Sequence, residues 1–171
     1  MAVELNIEDE RWAALDLGAL VARSCDAALV HLGFDPDACE ISVLASDDDA
    51  IARLNADFRG KPSPTNVLSW PAQDLSAQAD GAGPAPPRPD PFGEIELGDI
   101  ALAYETCARE ASAGTKTLAD HVTHLVVHGL LHLLGYDHIR VHDATLMEGL
   151  EITILGKLGL DDPYTIDTAG S

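Results

Sequence analysis

Residues Ala2–Ile7 alternate between apolar and polar side chains, the two-residue period of a strand with one buried face. Over Asp9–Leu32 the spacing changes. Trp12, Leu15, Leu20, Ala27, Leu29 and Val30 recur at helical intervals, and Gly33 offers a stop. Cys39–Ala45 reads as a second strand. Ser46 or Asp47 stands where a cap is needed for a short helix through Ile51, Leu54 and Phe58. Thr65–Trp70 and Glu94–Ala103 supply a third and a fourth strand. Tyr104–Ala113 continues as helix, Thr117–Leu134 is an apolar helix, and Asp143–Lys157 is the last one, closed by Gly159. Strands come early and helices late. The pattern predicts an α+β fold: one domain over residues 1–163, with a small mixed four-stranded sheet, about five helices, and the Thr117–Leu134 helix packed beneath the sheet.

Between the third and fourth strands the periodicity vanishes. Gln73–Pro91 is rich in Pro, Gly and Ala and is expected to be a mobile loop, because it offers too little apolar surface to order itself. Residues 164–171 are expected to form a disordered tail. The 171 residues, 46% hydrophobic, suit one domain with a sizeable core. No apolar run approaches the ~18 residues that span a bilayer. Met1–Glu10 is acidic and lacks the apolar stretch of a targeting signal, so a soluble cytoplasmic protein without a membrane partner is expected. Cys25, Cys39 and Cys107 are odd in number and show no C-x-x-C spacing, which fits buried small hydrophobes rather than disulfides or a thiolate metal site.

Charge sharpens the picture. The net charge of −19 argues against indiscriminate binding to nucleic acid, and no DNA partner is expected. Only residues 50–72 are positive, with Arg53, Arg59 and Lys61 against Asp57, so an anionic substrate is drawn there first.

The chemistry concentrates in His128-Gly129-Leu130-Leu131-His132-Leu133-Leu134-Gly135-Tyr136-Asp137-His138. On a helix His128 and His132 lie one turn apart on one face. Gly135 takes the positive φ that ends a helix, and the chain can turn back to bring His138 to the same point. Three converging neutral imidazoles would hold one Zn²⁺ and leave a coordination position open, as catalytic zinc sites do. His124 shares the same face, so the pair His124/His128 is an alternative to His128/His132; the break at Gly135 and the returning His138 favour His128, His132 and His138 as ligands. His121 and His124 then support the ligands or pack. Asp137 would orient a ligand or cap the turn, and Lys61 is a further candidate for touching substrate.

The spacing matches the metzincin protease pattern H-E-x-x-H-x-x-G-x-x-H at every position but one. Gly129 replaces the Glu that serves those proteases as general base. Zinc lowers the pKa of a water it binds to about 7, so the lost base is tolerable for a substrate with a good leaving group. A phosphodiester is such a substrate, and Arg59 offers a planar fork to its oxygens. His128 and Arg59 are the candidate catalytic residues on this reading, and metal hydrolysis of another substrate stays open.

The histidine motif also closely resembles that of the YbeY family of bacterial rRNA maturation factors. The likeness extends to Leu54-Asn55-Ala56-Asp57-Phe58-Arg59-Gly60-Lys61-Pro62-Ser63-Pro64-Thr65-Asn66-Val67-Leu68-Ser69-Trp70, to Leu97-Gly98-Asp99-Ile100, and to Met147-Glu148, Glu151, Ile154-Leu155 and Leu158-Gly159, in the family's order. Asn66 stands where the family has Asp, and Trp70 where it has Phe. The resemblance implies a zinc-dependent, single-strand-specific endoribonuclease acting in 16S rRNA 3′-end maturation and small-subunit quality control. It carries His128, His132 and His138 over as zinc ligands and Arg59 as the catalytic or phosphate-binding arginine. The implied partners are rRNA, the small ribosomal subunit, and ribosomal and ribosome-assembly proteins. Two other readings compete: a non-catalytic assembly factor with a structural zinc, and a metalloprotease.

Overall fold

Alternating burial along the strands sets the architecture. In the computed structural model, which describes residues 1–164, β1 (Ala2–Ile7), β2 (Cys39–Ser46), β3 (Val67–Pro71) and β4 (Ile95–Ala103) form one mixed sheet in the order β1-β2-β4-β3. β1 and β4 run parallel to β2, and β3 runs antiparallel to β4 along the edge. Cys39, Ile41, Val43 and Ala45 point to one face. That face is covered by α1 (Leu17–His31) and α4 (Leu118–Leu133), which bury the main core with it. The other face carries a smaller cluster of Ile51, Leu68, Ala101 and Ala103 under α2 (Asp48–Arg59). α3 (Tyr104–Ala113) and α5 (Val141–Lys157) pack around α4 and complete one domain. No described helix is long and apolar enough to cross a membrane. All three cysteines are free and buried.

The single helix expected over Asp9–Leu32 is two pieces. Asp9 accepts the Arg11 backbone N–H and starts a 3-10 turn, Glu10–Ala14, and Asp16 then caps α1. The break lets the buried Trp12 donate its indole N–H to the Ser46 carbonyl at 2.9 Å. β3 starts at Val67 rather than Thr65, because the Asn66 side chain accepts the Val67 N–H and takes up the first strand position. Of the expected tail, Tyr164 is described and residues 165–171 lie outside the described residues.

Two glycines are required by close approach. At Gly98, φ is 132°, and a Cβ would sit 2.2 Å from the Trp70 carbonyl oxygen. At Gly135, φ is 97°, and a Cβ would sit 2.6 Å from the Leu75 carbonyl oxygen. The second contact presses the start of the 73–91 segment against the end of the histidine helix, with Leu75 buried. Farther along, Asp80 accepts the Asp143 backbone N–H at 2.9 Å, while Asp143 accepts the Gly81 N–H at 2.7 Å. Arg140 itself provides no side-chain cap, so Asp80 caps α5 from a distant segment. α5 starts at Val141 rather than Asp143 on this support.

Candidate functional site

α4 presents its two faces to different neighbours. Its apolar residues meet the sheet, and Gly129 is on that side: a Cβ there would lie 3.0 Å from Ile100 Cδ1. The expectation that Gly129 reflects a missing general base therefore gains a packing reason. The position faces the core, where a Glu would collide with Ile100. His124, His128 and His132 form a neighbouring stripe, one turn apart, and His124 and His128 face Glu151 of α5.

Leu134 and Gly135 end α4, and the returning chain brings His138 alongside. The ring centroids are 4.6 Å apart for His128–His132, 5.2 Å for His132–His138 and 5.6 Å for His128–His138. One nitrogen from each of the three falls within 4.8 Å of the others. His128 Nε2 and His132 Nε2 are 3.1 Å apart, close to the roughly 3.3 Å between neighbouring nitrogens around a tetrahedral zinc.

Glu151 of α5 is the residue that the sequence reading did not single out as functional. It is fully buried. Oε1 accepts from His128 Nδ1 at 2.6 Å, and Oε2 accepts from His124 Nε2 at 3.1 Å and from the Tyr164 hydroxyl. Burial pushes this carboxyl up, but the bonds from His124 and His128 outweigh that and hold it down at about 2. It stays a carboxylate, so the proton on His128 sits on Nδ1 and the Nε2 lone pair points at the cluster. Two imidazole lone pairs facing each other at 3.1 Å repel unless a proton or a cation lies between them. Burial, with the imidazoles of His128 and His138, pushes His132 down to about 4, so it is neutral at physiological pH. The donor set thus fits a divalent metal. A second group, His124, His128 and Glu151, also lies within ligand distance, but there each carboxylate oxygen already accepts a proton donor. One signal in the sequence points to Glu151: it interrupts the apolar stripe of Met147, Ile154 and Leu155 at helical spacing, where a carboxylate needs partners.

The opposite wall comes from α2 and β3. Gly60, in the left-handed conformation, ends α2 and leaves Arg59 on its last turn. Arg59 Nη2 donates to the Ser69 carbonyl at 3.5 Å, and the side chain is exposed. Arg59, Ser69, Pro71, His132, Tyr136 and Asp137 line one cleft of about 190 Å³. Asp137 accepts the His138 backbone N–H at 2.6 Å. Lys61 is exposed just past Gly60. Asn66 is elsewhere: it donates to Glu110 at 3.0 Å, and Glu110 also accepts from His121 at 2.8 Å. An Asp at position 66 would set two carboxylates together, so the amide suits this neighbourhood.

A family model described as Endoribonuclease YbeY matches residues 4–159. Relatives bearing that name include one from Ruegeria pomeroyi, 60% identical over 167 residues that cover 98% of this chain and 100% of that one. Another, from Dinoroseobacter shibae, is 57% identical over 162 residues, covering 95% and 90%. A third, from Rhodopseudomonas palustris, is 45% identical over 162 residues, covering 94% and 80%. A Thermotoga maritima protein of known solution structure shares the fold, with a TM-score of 0.54 at 18% identity, over 96% of this chain and 99% of that one.

Proposed function

This chain belongs to the YbeY endoribonuclease family, and from that premise we propose that it is a zinc-dependent endoribonuclease of single-stranded RNA, acting on the 3′ end of 16S rRNA in small-subunit maturation and quality control. The observation that carries the reading is that Arg59 and His132 line the same cleft. A phosphate clamp and one imidazole of the three-histidine cluster thereby face one small space.

In this reading His128, His132 and His138 hold one Zn²⁺ per chain. Such an ion would supply Lewis acidity and would lower the pKa of water at the site. The protein supplies the rest. Glu151 fixes the His128 ring through its Nδ1–H, which keeps Nε2 aimed at the cluster. Arg59 sets its planar fork against the non-bridging phosphate oxygens, where negative charge grows as the bond to the leaving oxygen breaks. Lys61 adds positive charge at the rim. The protein works in the cytoplasm with the small ribosomal subunit and with ribosomal and assembly proteins. A partner with a basic surface compensates for the −19 charge.

Metal analysis beside RNA cleavage tests this. Wild type should carry one zinc per chain and cut single-stranded RNA. Arg59→Glu should keep the zinc and lose the cutting. If highly purified wild type and His132→Ala cut RNA equally, the cleavage is contamination, and a non-catalytic assembly factor with a structural zinc is the better account.

A further inference from the structure

The cleft accounts for one side of β3. On the other side, Phe58 and Trp70 meet edge to face, with ring centroids 5.7 Å apart. Phe58 is 65% exposed, unusual for an aromatic ring on a helix whose Ile51 and Asn55 are buried. The pair closes one end of a groove of about 480 Å³ over the uncovered part of the sheet, lined also by Leu44, Leu54, Asn6 and Asp99. That volume lies in the range of small-ligand sites, about 300–1,000 Å³.

Three features place this groove beside the cleft. β3 is an edge strand, so nothing further in the sheet separates its two faces. Ser69 and Pro71 of β3 line the cleft, while Trp70 between them lines the groove. Phe58 and Arg59 are consecutive on the last turn of α2, and Phe58 lines the groove while Arg59 lines the cleft. The only positive stretch of the chain, with Arg53, Arg59 and Lys61, belongs to this turn and its flanks. Asp99 in the groove repels phosphate, so a strand's backbone is kept on the Arg59 side.

We propose that Phe58 and Trp70 form a stacking platform for one unpaired RNA base, next to the phosphate held by Arg59. The proposal rests on the ribonuclease reading above and adds the subsite that gives it single-strand preference. A base inside a duplex is stacked on its neighbours and has no face free for Phe58, whereas an unpaired one does. Stacking on a ring tolerates any base, because every base has a π-face. Asp99, directly across from Trp70 on β4, lies beside the base edge.

The test uses the whole protein, kept free of metal by chelation for binding and loaded with zinc for cleavage. The probe is a short single-stranded oligoribonucleotide, alongside the same oligomer with abasic positions. The chain has two tryptophans, and Trp12 is fully buried, so quenching by an arriving base reports on Trp70. The base-bearing oligomer should quench this emission and the abasic one should not. Phe58→Ala should weaken binding of the base-bearing oligomer by about 5- to 150-fold and leave abasic binding unchanged. Phe58→Tyr, which keeps the ring, should restore it, so a folding defect is distinguishable. If wild type cuts RNA but binds both oligomers alike, the platform is refuted and the ribonuclease reading stands. If Phe58→Ala binds RNA normally and instead loses a ribosomal protein, the patch is a protein contact and the platform is refuted. If wild type neither binds nor cuts RNA, both readings fall.

Discussion

The two walls of the cleft are built to different standards of rigidity. On the helix wall, His128 is held by a fully buried carboxylate at 2.6 Å, and that carboxylate is itself held by His124 and Tyr164. On the α2–β3 wall, Arg59 is exposed and makes one long bond, 3.5 Å, to a backbone carbonyl. A metal demands fixed donors at fixed distances, so its ligands are oriented before it arrives. A nucleic-acid strand is flexible and charged, and exposed cations that can follow it serve better. The difference teaches how to separate the two functions experimentally: changes on the helix wall should alter metal content, and changes on the other should not.

The largest effect belongs to the helix wall. His132→Ala removes one of three converging nitrogens. Zinc measured after dialysis should fall well below one per chain, and RNA cleavage should fall to that of chelated wild type. Retention of a full zinc would show that His124, His128 and Glu151 hold the metal instead, and would erase the distinction between the walls. Next comes Arg59→Ala. Losing one donor to the developing charge should lower kcat by about 10²–10³-fold, with zinc content unchanged. A change in zinc content would mean that the two walls are coupled. Glu151→Gln follows. It keeps the shape but loses the negative charge facing His128 and His124, and zinc affinity measured by competition with a chelator should drop about 10–100-fold.

The histidine cluster was legible in the sequence because the i, i+4 spacing and the following glycine are local. Alternation made β1 legible for the same reason, and β2, β3 and β4 were legible as short strand runs, with β3 placed two residues early. What escaped depends on distant partners. Glu151 acquires its meaning only when α5 lies against α4, 23 residues from His128. The Asp80 cap of α5 spans 63 residues. The split before α1 answers to Trp12 reaching Ser46 at the end of β2. Gly129 is the instructive case. Its identity suggested a chemical reason, and the 3.0 Å approach to Ile100 supplies a physical one. Gly129→Glu should therefore create no protease: casein should stay intact, and urea unfolding should show a loss of about 1–3 kcal/mol from overpacking. Casein hydrolysis that a chelator abolishes would reverse this.

The last way to tell the walls apart is the pH dependence of the metal-free protein between about 6.5 and 4, which the helix wall carries through His132. His132 ordinarily titrates near 6.5 but is pushed down to about 4, chiefly by burial. Between those values the unfolded chain takes up a proton that the folded chain refuses. Stability should therefore be level above about pH 6.5 and should fall as the pH drops toward 4. Glu151 extends the same trend lower. Its carboxyl is held at about 2 instead of 4.5, so the stability it contributes is present above about 4.5 and is lost as the pH falls toward 2. Urea midpoints in chelator at pH 7, 5.5 and 4.5 would trace the first window. In His132→Asn, which cannot take up the proton in either state, the slope between 6.5 and 4 should flatten, whereas Arg59→Ala should keep it. An unchanged slope in His132→Asn would mean that the imidazole is not held neutral by its surroundings, and the rigid wall would lose its electrostatic basis.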